Sequence, residues 1–147
     1  MLAQSEAEYL LEMSKKLVDN QTITFPQSGE YKGLDVISVD GKEKFIIDIN
    51  RAGRISIAKC TYQKRYRKEE ILLRLDISGP PHTNPNGETI VCPHLHIYKE
   101  GYSDRWAYQL PSDFSNSEDL ISKLIEFLEY CKITNADGLP VQGVLEL

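Results

Sequence analysis

The chain has three histidines, His82, His94 and His96, and all of them fall within residues 79–111. The same stretch holds the only tryptophan, Trp106, the tyrosines Tyr98, Tyr102 and Tyr108, and five of the seven prolines. His94-Leu95-His96 on a strand sets two imidazoles side by side, because alternate residues share a face. That spacing suits two ligands of one metal, with His82 or Cys92 as a third and Asp104 or Glu100 as a carboxylate. A pair alone fixes neither ligand count nor geometry, so no metal is assigned, and His82, His94 and His96 stay weak metal candidates. No other cofactor is called for. The same imidazoles could exchange a proton as general acid and base on a phosphodiester, with Arg105 or Arg74 stabilising the developing charge. Tyr98 and Tyr102 would then position the substrate. The catalytic candidates are His82, His94, His96 and Arg105. Leu95 and Ile97 fit a core, so the two histidines between and beside them are expected to face outward, into a groove or solvent. The structural alternative is that the imidazoles hold the proline-rich loops by bonding their backbone.

A second cluster lies upstream. Residues 51–68 carry seven basic side chains and no acidic one. Within it Lys59, Lys64, Arg65 and Arg67 interleave with Tyr62, a pattern suited to phosphates with rings for bases. A solvated loop is the plain alternative, since Glu69 and Glu70 follow at once. Residues 113–147 carry seven acidic residues and two lysines, so the charge is bipolar around a net −5. That balance argues against broad nucleic-acid binding. The candidate binding set is Lys59, Tyr62, Lys64, Arg65, Arg67, His82, His94, His96, Tyr98, Tyr102, Arg105 and Trp106.

These side chains must be carried by a framework. At 147 residues the chain is expected to form a single domain, 1–147. Ser5 and Glu8 stand at capping-box spacing, and Leu10, Met13, Leu17 and Val18 recur at three and four, which predicts a helix over 5–20. Strands are expected at 22–25, 34–39, 43–50, 55–62, 71–78, 94–98, 105–110 and 141–147, with a hairpin at Asp40-Gly41. Residues 63–70 read as a solvated connector or strand extension. Phe45, Ile47 and Ile49 share one face, as do Ile71, Leu73, Leu75 and Ile77, with Arg74 and Asp76 opposite. Ser115 and Glu118 predict a second helix over 115–131, with a wide apolar face from Leu120 to Cys131. The expected fold is α+β: an antiparallel β-sheet with an N-terminal and a C-terminal helix packed on one face. With three widely spaced cysteines (Cys60, Cys92, Cys131), an N-terminus that does not read as a secretory leader and no membrane-length apolar run, a cytoplasmic protein is expected.

The segments Phe45 to Arg51 (FxxDxxR), Thr61 to Arg67 (TYQxRxR) and Pro81 to Pro111 (PHTNPxG…PHLHxYxEGYxxxWAxxLP) carry a resemblance. Together they cover more than a third of the chain, which resembles a family of small proteins of unknown function from Gram-positive bacteria and their phages. The resemblance brings no catalytic residue with it. It implies phage or mobile-element association and, by analogy, an accessory protein that inhibits a host defence or nucleic-acid-processing protein. The expected partner is a host protein or nucleoprotein, with nucleic acid reached through residues 51–68 and no membrane. The competing expectation is a small, toxin-like, His-dependent phosphodiesterase or ribonuclease.

Overall fold

A computed structural model of the chain describes residues 2–18, 23–27, 29–50, 53–62, 67–116, 119–135 and 141–142, by backbone alone at 60–62, 67–69 and 141–142. Along the chain the elements are α1 (Gln4–Glu12), β1 (Lys15–Leu17), β2 (Ile23–Thr24), β3 (Tyr31–Ser38), β4 (Lys44–Asn50), β5 (Arg54–Tyr62) and β6 (Arg67–Asp76). Then follow β7 (His82–Thr83), β8 (Thr89–Ile90), β9 (His94–Ile97), β10 (Ala107–Gln109), α2 (Leu120–Tyr130) and β11 (Val141–Gln142). Seven strands form one antiparallel sheet in the order β1-β3-β4-β5-β6-β9-β10. β7 and β8 make a separate small hairpin, and β2 pairs in parallel with β11. The fold is α+β, as the periodicities predict.

Alternation builds the core. Phe45, Ile47 and Ile49 of β4 point one way and meet Val36, Ile55, Ile57, Leu73, Leu75 and Leu95 on neighbouring strands. Both helices cover that face, α1 through Ala7 and Leu10, α2 through Leu124, Phe127 and Leu128. Burying each large side chain contributes about 1.5–3 kcal/mol. The register slips between Ile57 and Ala58, so that Leu72 has no partner of its own on β5. This bulge reverses the parity of β6 on either side of it.

Helix ends differ from their expected places, for identifiable reasons. α1 stops at Glu12 rather than running to 20, and residues 15–17 become the edge strand β1. Lys15 fixes that break. Its Nζ donates to the carbonyls of Leu11 (3.1 Å), Met13 (3.0 Å) and Cys131 (3.1 Å), so one ammonium closes the C-terminal ends of both helices. The expected Ser5–Glu8 capping box is not used, because the N-cap is Ala3. Glu100 does the work from a distant loop. It accepts from Gln4 N at 2.9 Å, and its own N–H donates to Gln4 Oε1 at 2.9 Å. α2 begins at Leu120, not 115, with the Asp119 carboxylate accepting from Ser122 N. Ser115 instead donates to Glu126 from both N and Oγ.

Candidate functional site

The face of the sheet away from the helices carries the polar cluster, and strand register assembles it. Arg74 on β6 lies opposite His96 on β9, and Asp76 lies opposite His94. Arg54 on β5 flanks Asp76 from the other side. Directly paired residues on one face are in contact range, so three strands converge their chemistry without any loop. The three imidazoles follow. Ring centroids are 4.6 Å apart for His82–His96, 4.8 Å for His94–His96 and 6.0 Å for His82–His94.

The expectation that His94 and His96 face outward does not hold: each is 1% exposed. They do share a face opposite Leu95. That face is roofed by the β7–β8 hairpin and by the loop 99–106 between β9 and β10. Each roof segment bonds an imidazole. His94 Nδ1 donates to Ile90 O (3.1 Å), His96 Nδ1 to Asp104 O (2.8 Å) and His82 Nε2 to Arg105 O (2.7 Å). A carbonyl only accepts, so these partners assign the proton to those nitrogens. Arg74 only donates, so its Nη2, 3.0 Å from His96 Nε2, makes that nitrogen an acceptor and His96 neutral.

Arg74 is the hub. Its Nε donates to Asp76 Oδ1 (3.0 Å), its Nη2 to Asp76 Oδ2 (3.2 Å) and its Nη1 to Asp104 Oδ2 (2.7 Å). Arg54 Nε adds an ion pair to Asp76 Oδ1 at 3.3 Å. Burial by itself would raise the Asp76 carboxyl. The two hydrogen bonds from Arg74, with the charges of Arg74 and Arg54, outweigh that and hold it well below the usual carboxylate range. Asp76 therefore stays ionised.

A cavity of about 410 Å³ opens beside the cluster, lined among others by Arg54, Arg74, Asp76, His82, Cys92 and His94. Cys92 Sγ lies 3.6 Å from His94 Nδ1 and 4.0 Å from Nε2. Such similar distances put the sulfur over the ring rather than in line with a nitrogen lone pair. Burial, then the Asp76 charge, push this thiol up. Cys92 is thus not poised as a thiolate nucleophile.

The other sequence candidates divide. Tyr98 belongs to the core, 2% exposed, with its hydroxyl donating to Leu2 O at 2.6 Å, so it cannot line a docking surface. Tyr102 and Arg105 are exposed, and Trp106 stacks edge-on against Tyr102 (5.7 Å) beneath Lys99 Nζ (4.3 Å). Among the described residues the buried indole Nε1 of Trp106 has no acceptor. Lys59 is half-buried and paired with Glu43, which removes it from a free basic patch. Lys64 and Arg65 lie outside the described residues, and Tyr62 and Arg67 are described by backbone alone. Glu100 caps α1 and, among the described residues, makes no hydrogen bond to the imidazoles. Asp104 joins the cluster through Arg74 and its own carbonyl. Asp76, Arg54 and the exposed Tyr108 of β10 are not among the candidate site residues read from the sequence, although Tyr108 falls in the histidine-bearing stretch. The alternation of β6 did place Asp76 on the polar face, which was the one available signal.

Fold and site together define an α+β protein with a buried His–Arg–Asp cluster on the face of an antiparallel sheet away from the helices. The chain matches the model of a family of unknown function (DUF6978) over residues 2–133, and it belongs to that family. The search of curated proteins finds no match, and neither does that of solved structures. No helix among the described residues is long and apolar enough to cross a membrane.

Proposed function

We propose that the protein acts by binding, as a phage or mobile-element accessory factor that occupies and inhibits a host defence or nucleic-acid-processing protein. One observation favours binding over turnover: all three imidazoles give a ring proton to a backbone carbonyl, so they are occupied in holding loops. What those loops offer to solvent is Tyr102, Arg105 and, on the adjoining strand, Tyr108. Aromatic and arginine side chains on a rigid base are what interface centres are built from. The phage association rests on the motif resemblance, and a cytoplasmic site of action on the free thiols of Cys92 and Cys131. The test is the triple variant Tyr102→Ala/Arg105→Ala/Tyr108→Ala. The wild-type chain should retain a host protein from a Gram-positive lysate and inhibit it once that protein is purified. The variant should do neither, with its melting temperature unchanged. Equal inhibition by the variant rejects this surface.

A second reading is kept by the cavity itself, where two arginines stand beside an imidazole with a free nitrogen. Nδ1 of His82 makes no hydrogen bond among the described residues, and His82 is only half-buried. A small phosphodiesterase or ribonuclease would use His82 for proton transfer and Arg54 for the phosphate. Turnover of an RNA oligonucleotide that vanishes in His82→Ala supports this reading. No turnover in the wild type rejects it.

A further inference from the structure

His94 is one positive particle short. Its Nδ1 proton goes to Ile90 O, so in the neutral ring Nε2 is a lone pair. That lone pair faces Asp76 Oδ2 at 3.2 Å, another acceptor, with the ring 1% exposed. Two acceptors held face to face repel unless a cation or a proton stands between them. His96 Nε2 is 3.3 Å from the same carboxylate oxygen. So two imidazole nitrogens and one carboxylate oxygen, no two more than 4.8 Å apart, look toward a common point.

We propose that Asp76, His94 and His96 hold a divalent cation of the zinc class, bound through Asp76 Oδ2 and the two Nε2 atoms. Three features of the site carry this. Zinc bonds of about 2.0–2.1 Å in a tetrahedron set ligand atoms about 3.3 Å apart, and both oxygen–nitrogen separations already have that length. Each ligating imidazole gives its other nitrogen to a backbone carbonyl, the arrangement that fixes metal-binding histidines. The cavity gives the ion an entry, and His82 and Cys92 also line it.

Arg74 is the competing cation, because its Nη2 bridges His96 Nε2 and Asp76 Oδ2. An entering ion takes those two contacts and draws the rings together. Arg74 keeps Nε on Asp76 Oδ1 and Nη1 on Asp104, and so continues to orient the carboxylate. Bound there, the ion would fasten the β7–β8 hairpin and the 99–106 loop to the sheet, whatever partner the surface meets.

The full chain, purified without added metal, should contain close to one zinc per molecule by elemental analysis. Chelator should lower its melting temperature and zinc alone should restore it. Cobalt should give the intense visible absorption of a tetrahedral site, and His94→Gln should cut zinc affinity at least a hundredfold. Should that variant fail to fold, nitrogen NMR of the wild-type imidazoles decides. Metal-shifted Nε2 resonances on both His94 and His96 support the site. A His94 ring with protons on both nitrogens, unaffected by zinc, overturns it, because a proton then supplies the missing charge. Zinc binding unchanged in His94→Gln overturns it equally.

Discussion

Lys15 shows how much one buried residue can decide. It is fully buried, yet its ammonium meets three carbonyls from two helix ends. Lys15→Met keeps the volume and strands all three acceptors. A cost of about 3 kcal/mol or more is expected, read as a fall in the urea midpoint at constant slope. The same residue gives a pH dependence. Burial pulls its pKa from 10.5 down to about 8. The unfolded chain then binds more protons than the folded one between these values, so stability rises with pH from about 8. Cys131 opposes this, since burial pushes its thiol from 9.0 up to about 12. Its unfolded form loses a proton first, so stability falls as pH climbs above 9. Thermal melts should therefore improve from pH 8 to 9 and level off or decline beyond. In Cys131→Ala the gain should continue toward 10.5. A melting temperature that falls from pH 8 to 9 would contradict the assignment to Lys15.

At the scale of elements, the two outer strands of the sheet are finished by the same device. Asn84 Nδ2 donates to Ala107 O (2.9 Å), and Ala107 N donates to Asn84 Oδ1 (2.8 Å), so a side-chain amide pairs with β10 as a neighbouring peptide would. Asn135 does this on β1, accepting from Leu17 N at 2.9 Å and donating to Leu17 O at 3.3 Å. Open strand edges invite pairing with other chains, and these amides close them. Asn84→Ala should cost about 2 kcal/mol, the penalty for stranding buried backbone groups, and should raise the dimer fraction in light scattering. A fully monomeric variant of wild-type stability would refute the role. A different constraint governs the turn before β5. Gly53 has φ +100°, and a Cβ there would meet Ser78 Oγ at 2.7 Å. Gly53→Ala should therefore destabilise by about 1–3 kcal/mol, measured by the same urea titration. Strand alternation was open to sequence reading because it is local: Phe45, Ile47 and Ile49 declare a face without reference to any other segment. The asparagine clamps were not, since Asn84 is 23 residues from Ala107 and Asn135 is 118 from Leu17. For the same reason the end of α1 was misplaced. The pattern Leu10, Met13, Leu17 is helical in spacing, but the partners that stop the helix are Cys131 O and strand β3.

Across the whole molecule the sheet separates two kinds of stability. Its helix face is closed by a continuous apolar core, while its other face is closed by a roof held by polar contacts to His94, His96 and Arg74, with His82 joining the two roof segments. This is why the exposure of His94 and His96 was not legible in sequence. Their shared face follows from the period of two, but the covering segments come from residues 82–90 and 99–106, and Asp76 reaches them through register. Arranged this way, the roof is held by fewer apolar contacts than the core and should open on its own. Amide hydrogen exchange measures this directly. The roof amides of Asn84, Gly87, Lys99 and Arg105, each bonded within its own turn, should exchange well before those of β4 and β5. His96→Ala removes the bond to Asp104 and leaves Arg74 Nη2 without its nitrogen acceptor. It should speed exchange at Lys99 and Arg105 while barely changing β4, because Phe45, Ile47 and Ile49 pack on the opposite face. Acceleration spread evenly over roof and core would mean that the two faces unfold as one unit, with the imidazoles stabilising the global fold rather than a separable lid. The same logic fixes how histidine variants are to be read. A joint His94→Ala/His96→Ala replacement should loosen the roof and displace Tyr102 and Arg105 with it. Loss of binding in that variant would therefore report a collapsed support, and the surface variant with an intact roof is the one that isolates the contact.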